Sequence, residues 1–279
     1  MKARNPGLAL LLAALVGGGG ARESAALIVF DARDSGDNSR NVIVPGDPGS
    51  HPDGAAAGVP WRHVVRYGVG NASAVYLGHG FILTANHVIP VEDSDLLIEG
   101  VAYARDSEFP PLRLVLPDDG GALALDLRLE RIVGDPGLAP LALAADGVNA
   151  RGKASVLVGW GVGKGALLPE RGWEWGDDAS RALRWGTNRT TNQLQTVNDM
   201  VSLRTDFNSN QGADEAAATL GDSGGALFQN HSGSWLLAGV IFAVSSNGGP
   251  ETTVYDTNTF FPGDQNADRA FSVRLGEYA

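Results

Sequence analysis

Short apolar runs separated by turn residues dominate the chain beyond residue 61. Each run is three to nine residues long, which is the length of a β-strand. The runs lie at residues 73–77, 81–84, 96–98, 112–116, 122–125, 154–158, 194–197, 200–203, 225–228, 235–243 and 252–255. No helical pattern alternates with them, so the βαβ units of a parallel sheet are not expected. The pattern therefore predicts an all-β sandwich or barrel.

Two segments depart from this pattern. Residues 27–60 are rich in Asp, Gly, Pro, Asn and Ser, and only brief apolar groups at 27–30 and 42–44 interrupt them. This composition predicts an extended N-terminal segment on the surface of the domain that follows. Residues 167–192 combine three tryptophans with many charged residues. We expect an elaborated surface loop with one strand there.

The composition supports turns and limits the classes of partner. The 38 Gly and 14 Pro among 279 residues suit many strands joined by tight turns. The net charge of −11 disfavours nucleic acid as a partner, because phosphate binding depends on Lys and Arg. No basic run or basic amphipathic helix occurs, so no membrane partner is expected for the mature form. The absence of cysteine excludes disulfides, thiolate metal sites and a cysteine nucleophile.

The N-terminus has the pattern of a secretory signal. Lys2 and Arg4 precede an apolar run at residues 8–16, and the small residues 24–26 follow. The pattern predicts a signal peptide over residues 1–26 and a secreted protein, extracellular or periplasmic. The apolar run is shorter than a membrane-spanning helix, although a retained N-terminal anchor is the alternative.

Residues 221–225, with the sequence GDSGG, are the strongest chemical signal. A serine hydroxyl is a poor nucleophile until a base removes its proton, and its product oxyanion needs preorganised donors. Glycines around Ser223 allow the backbone to turn sharply and to direct N–H groups at one point. Asp222, just before the serine, is placed to hold that turn from inside.

Two further segments supply the partners of such a serine. His87 follows the apolar run 81–84 and two small or polar residues, which places an imidazole at the end of a rigid element. Asp126 is a single carboxylate within an apolar run. A buried ionised Asp is costly unless it is paired, so we expect Asp126 to face His87 and fix its tautomer.

In this order, the three segments resemble the trypsin-like (chymotrypsin-fold) serine proteases. The family's T-A-A-H corresponds to TANH at 84–87, its Asp before aliphatic residues to Asp126, and its G-D-S-G-G to 221–225 without change. VGWG at 158–161 and GVI at 239–241 match two more strands of the family. The resemblance extends from about residue 59 to the C-terminus and is to a bacterial-type secreted member without disulfides.

This resemblance implies a fold and a set of roles. The fold is two packed antiparallel β-barrels, the first over about 61–145 and the second over about 150–275 of a protease domain at 61–279, with the active site in the cleft between them. Ser223 is the nucleophile, His87 the base and Asp126 its orienting acid. The N–H groups of Gly221 and Ser223 form the oxyanion hole. The implied substrate is a protein or peptide, without metal or cofactor, and the protein is expected to be a monomer.

The chain also departs from the family's pattern. No I-V-G-G segment is present to provide the amine that pairs with the acid at Asp222, so the partner of this structural acid is open. Ala217 stands where members that cleave after Lys or Arg carry an acid. We therefore expect a neutral substrate pocket without preference for basic P1 residues, narrowed by Phe242 or Val244 on its other wall.

The same sequence allows three other readings to be compared with a protease. The pentapeptide also fits the G-x-S-x-G elbow of α/β-hydrolases, but that fold needs an acid and then a His after the Ser. Only His231 follows Ser223, and no acid lies between them, so this fold is excluded. A catalytically silent trypsin-fold binding protein is also compatible with the sequence, because the pocket wall is altered and the family's I-V-G-G segment is missing. So does an esterase or amidase that acts on small substrates.

Overall fold

In the computed structural model, the described residues are 27–30, 37–67, 72–88, 96–118, 121–145, 147–169, 171–245, 251–253 and 268–277. The signal peptide expected at residues 1–26 lies outside these ranges. The regular secondary structure within the described ranges is nearly all β-strand, as the apolar pattern predicts.

Nineteen strands occur in the described ranges. In chain order they are β1 (Ile28–Val29), β2 (Val64–Tyr67), β3 (Ala72–Gly78), β4 (Phe81–Thr84), β5 (Leu96–Ile98), β6 (Val101–Tyr103), β7 (Leu112–Asp118), β8 (Gly121–Arg131), β9 (Ala154–Gly159), β10 (Lys164–Leu167), β11 (Trp173–Trp175), β12 (Arg184–Arg189), β13 (Gln195–Val197), β14 (Met200–Asp206), β15 (Ala216–Ala217), β16 (Ala226–His231), β17 (Ser234–Ser245), β18 (Thr252–Thr253) and β19 (Arg269–Arg274). The described helices are single 3₁₀ turns at Pro48–Ser50, Gly54–Ala56, Trp61–His63, Asp178–Ser180 and Leu275–Glu277. Within these ranges, no helix is long and apolar enough to cross a membrane.

Two seven-stranded antiparallel sheets form the body of the protein. The first has the strand order β6-β5-β2-β3-β4-β8-β7, and the second has the order β12-β9-β16-β17-β19-β14-β13. The strands run antiparallel to their neighbours in both sheets. Neither sheet is closed by hydrogen bonds between its edge strands in the described ranges. Each half of the chain therefore builds one sheet, and the two sheets share an extensive apolar core.

The first residues of the described chain are buried, which differs from the surface position that the sequence predicts. Leu27 and Ile28 are almost fully buried, and β1 pairs with β15 in the register Ile28↔Ala217. The N–H of Phe30 extends this pairing by donating to the carbonyl of Glu215 at 2.7 Å. The physical reason is that residues 27–30 are four consecutive apolar side chains, whose burial is favoured in proportion to the apolar area removed from water.

The tryptophan-rich segment is also more ordered than a surface loop. β10, β11 and β18 form a separate three-stranded sheet, and Trp173 on β11 is fully buried. The ammonium group of Lys164 lies 4.4 Å from the centre of the Trp173 ring. The one strand expected in this segment corresponds to β12, at the edge of the second sheet. The sequence did not predict these strands, because charged residues such as Lys164 indicate an exposed loop. In the structure Lys164 is instead buried against an aromatic ring.

Candidate active site

The side chains of His87, Asp126 and Ser223 form one continuous hydrogen-bonded chain. The Nδ1 of His87 lies 2.6 Å from Oδ2 of Asp126, and its Nε2 lies 2.9 Å from Oγ of Ser223. The other carboxylate oxygen of Asp126 accepts the backbone N–H of His87 at 2.9 Å. An ionised Asp126 therefore requires a proton on Nδ1, which leaves Nε2 to accept the proton of the serine hydroxyl.

The first sheet fixes two members of this group. Asp126 lies in β8, and β4 pairs with β8 and ends three residues before His87. The N–H of Asn86 donates to the carbonyl of Asp126 at 3.2 Å, which extends the pairing up to the histidine. The buried guanidinium of Arg128 donates to the carbonyls of Asn86 and Val88, on either side of His87. The sequence did not predict these hydrogen bonds of Arg128, because an arginine within a strand is usually exposed.

Ser223 comes from the second half of the chain, in the turn before β16. The N–H of Asp222 donates to the carbonyl of Thr219 at 3.2 Å, and Gly221 has a φ of +92°. A hydrogen bond of this kind with positive φ at the third residue defines a type II turn, which favours glycine there. The carbonyl of Leu220 accepts the N–H of Val162 at 2.8 Å. Since C=O and N–H point in opposite directions across a trans peptide, the N–H of Gly221 points away from Val162.

Within the described ranges, no acceptor is paired with the N–H of Gly221 or of Ser223. The two donors lie on either side of Asp222, in a turn where several other backbone groups are hydrogen-bonded. The N–H of Gly224 donates to Ile241, and that of Gly225 donates to the carbonyl of Asp222, both at 2.7 Å. The turn therefore offers two N–H groups next to the Ser223 hydroxyl.

Asp222 is completely buried beneath this turn. Its Oδ1 accepts the N–H of Gly161 at 2.8 Å, and its Oδ2 accepts the N–H and the hydroxyl of Thr219 at 2.7 and 3.2 Å. Burial raises the pKa of Asp222 to about 6, while these hydrogen bonds and the positive charge of Arg181 oppose the rise. A Cβ added to Gly159 or Gly161 would lie 2.3 or 2.5 Å from a carboxylate oxygen of Asp222, so this approach requires glycine at both positions.

Ser73 on β3 joins the first sheet to the serine turn. Its N–H donates to the carbonyl of Ser223, and its hydroxyl donates to the carbonyl of Gly221, both at 3.0 Å. The same hydroxyl accepts the N–H of Trp160 at 2.8 Å. A Cβ on Gly224 would lie 1.9 Å from the carbonyl oxygen of Ser73, so the contact also depends on glycine. In the sequence, Ser73 is only a polar residue at the start of the predicted strand 73–77, which does not indicate a contact with the serine turn.

The three residues expected around the substrate pocket lie in different apolar clusters. Ala217 packs with Ile28, Phe30, Trp173 and Phe207. Val244 packs against a second cluster, and Phe242 belongs to the large core shared by the two sheets. Val244 and Phe242 are close in β17, whereas Ala217 is held by the N-terminal strand. The structure thus brings the triad together but gives the pocket residues separate surroundings.

Glu215, next to Ala216 and Ala217, is a buried acid that sequence reasoning did not single out. Its side chain is fully buried, and its Oε1 accepts the N–H of Asn208 at 3.1 Å. Burial raises the pKa of Glu215 well above its usual value, and the nearby Asp206 adds to the rise. In the described ranges, no group of three His, Cys, Asp or Glu side chains could hold a metal ion.

Comparison with known proteins places the chain in a family. The family model described as Trypsin matches residues 48–261, which is more than half of the chain. The chain belongs to the trypsin family. No curated protein sequence matches this trypsin-family chain. The nearly all-β structure with its two seven-stranded sheets is consistent with the chymotrypsin-like double β-barrel fold.

The solved structures that resemble this chain are distant from it in sequence. One is described as the HtrA-type protease AlgW with decapeptide; it is 18% identical, with a TM-score of 0.44, over 73% of this chain and 48% of that chain. The chain thus spans about half the length of that protease. Another is described as the inactive form of a serine-to-alanine mutant of Rv3671c from M. tuberculosis H37Rv; it is 14% identical, with a TM-score of 0.46, over 85% of this chain and 93% of that chain.

Proposed function

We propose that this trypsin-family protein is a secreted serine endopeptidase that hydrolyses peptide bonds through an acyl-enzyme. The observation that carries the proposal is the position of His87, whose ring is within hydrogen-bond distance of both Asp126 and Ser223. A base that touches the nucleophile and is oriented by an acid is the arrangement that activates a serine hydroxyl. The substrate is a protein or peptide, and the protein acts as a monomer.

In the first half of the reaction, Oγ of Ser223 attacks the carbonyl carbon of the scissile bond and its proton passes to Nε2 of His87. The carbonyl oxygen becomes an oxyanion, which the N–H groups of Gly221 and Ser223 stabilise. The C–N bond then breaks as His87 returns the proton to the leaving amine. Asp126 remains ionised and stabilises the imidazolium that exists between these two transfers.

In the second half, a water molecule attacks the acyl group on Ser223 while His87 removes one of its protons. The oxyanion forms again in front of the same two N–H groups. Its collapse breaks the ester bond, releases the carboxylic acid and returns the proton to Oγ of Ser223. Both halves therefore use the same base and the same pair of donors, and no metal or organic cofactor takes part.

Substrate choice is expected to follow the neutral side chains at the proposed pocket. Ala217, Phe242 and Val244 carry no charge, so nothing among them would pair with a Lys or Arg side chain of the substrate. We propose that the enzyme has no preference for basic P1 residues. Because the first 26 residues have the pattern of a signal peptide, the site of action is extracellular or periplasmic.

The test is cleavage of a denatured protein by the purified mature chain, with the new N-termini mapped by mass spectrometry. Wild-type protein should produce cuts after neutral residues, and Ser223→Ala should produce none. The exposed Ser234 provides the matched control, since Ser234→Ala should cleave like the wild type. Hydrolysis of small esters without any cleavage of protein would establish an esterase instead. No reaction with either substrate would mean a silent binding protein.

A further inference from the structure

Three polar side chains are buried in the first sheet close to the triad. Arg128 is 8% exposed, and Glu130 and Tyr67 are each 1% exposed. Asp126, Arg128 and Glu130 alternate along β8, so their side chains leave the same face of the strand. Removing a guanidinium and a carboxylate from water is costly, and such a pair is often no more stable than apolar residues of the same volume. The proposed reaction uses none of the three, so their burial calls for another explanation.

The three side chains hold one another in place. Nε of Arg128 donates to Oε1 of Glu130 at 2.6 Å, and the hydroxyl of Tyr67 donates to the same oxygen at 2.6 Å. Nη2 of Arg128 donates in turn to the hydroxyl oxygen of Tyr67 at 2.9 Å. Burial and the charge of Glu130 raise the pKa of Tyr67, so its hydroxyl keeps the proton that this arrangement requires. The guanidinium is thus fixed by one partner on β8 and one on β2.

The remaining hydrogen bonds of Arg128 reach the backbone on both sides of His87. Nη1 donates to the carbonyl of Asn86 at 3.1 Å, and Nη2 also donates to the carbonyl of Val88. These carbonyls lie beyond the pairing of β4 with β8, which ends at Thr84↔Arg128. A guanidinium can contact two carbonyls and a carboxylate at once, because its five N–H groups spread in a fixed fork. One side chain therefore ties the backbone around the histidine to the sheet.

The peptide between Asn86 and His87 is held at both of its ends. Its carbonyl oxygen accepts from Arg128, and its N–H donates to Oδ1 of Asp126 at 2.9 Å. Because C=O and N–H point in opposite directions across a trans peptide, Arg128 and Asp126 hold this peptide from opposite sides. The ring of His87 must reach Asp126 at 2.6 Å and Ser223 at 2.9 Å. A shift of the backbone would change both distances at once.

Building on the proposed function, we propose that Arg128 is a positioning residue that fixes the backbone of His87, so that the ring reaches both of its partners. Asp126 orients the ring of His87, and Arg128 fixes the backbone that carries the ring. Glu130 and Tyr67 hold Arg128 in turn. A change at Arg128 should therefore slow the chemical step more than it weakens substrate binding, because Arg128 is buried and acts through the histidine.

The first experiment compares Arg128→Lys with Arg204→Lys. Lysine keeps the positive charge, but its compact ammonium cannot span two carbonyls as a guanidinium does. Arg204 is the matched control, because it is mostly buried in β14 and pairs with Asp206 two positions further along its strand. Arg128 pairs with Glu130 at the same spacing in β8. For an ester substrate, kcat should fall about 100-fold in Arg128→Lys with KM nearly unchanged, the cost of displacing a catalytic group by about 1 Å. Arg204→Lys should keep the kcat of the wild type.

A second variant removes the buried charges without leaving one of them unpaired. Arg128→Met, Glu130→Leu and Tyr67→Phe together replace the cluster by apolar side chains, an exchange that often leaves stability unchanged or improves it. A merely structural role predicts that this apolar variant keeps its activity. The positioning role predicts that kcat falls at least as far as in Arg128→Lys, because the two carbonyls beside His87 lose their donor. Urea unfolding checks that both variants are folded.

The proton between Nδ1 of His87 and Oδ2 of Asp126 provides a readout that does not depend on catalysis. A proton in so short a hydrogen bond should give a separate, far-downfield resonance in the proton NMR spectrum. This resonance should shift or broaden in Arg128→Lys and stay as in the wild type in Arg204→Lys. If the wild type is inactive but the resonance changes in this way, the proposed function fails and the positioning of His87 stands. An unchanged resonance, or a wild-type kcat in both Arg128→Lys and the apolar variant, overturns the inference.

Discussion

At the scale of single residues, the two carboxylate oxygens of Asp126 have different tasks. One accepts the backbone N–H of His87 and so fixes where the residue lies, and the other accepts the ring Nδ1–H and so fixes its tautomer. Because both oxygens are used, the imidazole cannot turn without losing a hydrogen bond. The direction of Nε2 towards Ser223 is therefore determined by a residue that does not touch the serine.

Asp126→Asn should lower kcat by about 10⁴-fold while the fold is retained. An amide can present its NH₂ to the histidine ring, which favours a neutral ring protonated on Nε2 and unable to accept the serine proton. Ester hydrolysis at neutral pH measures the loss, and circular dichroism checks the fold. A loss of less than 10-fold would mean that Asp126 does not set the tautomer of His87.

The burial of Glu215 predicts how the stability of the fold depends on pH. Its pKa in the folded chain lies well above the ordinary value of 4.5. At a pH between these two pKa values, the folded state therefore keeps a proton that the unfolded state has released. The stability it contributes is present below that ordinary value and is lost as the pH rises through the folded pKa. Glu215→Gln carries no titrating group, so it should be more stable than the wild type at pH 7.5 and lose this advantage at pH 4.5. Urea unfolding at both pH values measures the difference; an equal difference at both would contradict the burial argument.

At the scale of elements, β1 is the least expected part of the fold. Two residues of strand connect the N-terminal segment to β15, which carries Ala217. Ile28 lies beneath this contact with Trp173, Phe207 and Ala217, so one short strand joins three separate parts of the chain. The N-terminal segment thus stabilises the strand that comes six residues before the serine.

Ile28→Ala should lower the free energy of unfolding by about 2–5 kcal/mol, since it leaves a cavity in a fully buried cluster. Val44→Ala is the control, because Val44 is also an apolar residue of the N-terminal segment but is 49% exposed. Denaturant unfolding should show a large loss for the first variant and a change within about 0.5 kcal/mol for the second. Equal effects would mean that β1 is not part of the folded core.

A strand could be predicted where its buried side chains are apolar and turn residues follow it. The runs at 81–84 and 96–98 coincide with β4 and β5, because these strands bury apolar side chains and end at turn residues. β10 and β11 were missed, since their charged and aromatic residues bury against each other instead of alternating.

The same distinction holds for the candidate site. The segments of His87, Asp126 and Ser223 could be found, because each carries a local pattern that the chemistry requires. Ser73 and Arg128 could not be found. Their contacts with the site, such as the one from Ser73 to Gly221 across 148 positions, leave no local pattern in the sequence.

At the scale of the whole molecule, the site exists only where the two sheets meet. His87 and Asp126 come from the first sheet and Ser223 from the second half of the chain, so their spacing depends on how the sheets pack. Ser73 makes a direct polar link between the halves, with hydrogen bonds to Gly221, Ser223 and Trp160. We expect the loss of this link to alter the distance between His87 and Ser223.

Ser73→Ala should therefore reduce kcat about 10-fold with a loss of about 1–3 kcal/mol in stability, the cost of leaving buried groups unpaired. Ser202→Ala is the matched control, because Ser202 is an equally buried serine whose hydroxyl donates to the carbonyl of Met200 in its own strand. Both variants should be destabilised to a similar extent in urea, but only Ser73→Ala should lose kcat. A similar kcat for the two would show that the sheets are aligned by packing alone.

If Ser223 is a nucleophile activated by His87, the purified chain should react with a fluorophosphonate. Intact mass and peptide mapping would locate the adduct. We predict one adduct per chain, on Ser223, formed by the wild type and lost in both Ser223→Ala and His87→Ala. An adduct on another residue, or labelling of Ser223 that persists without His87, would contradict the account.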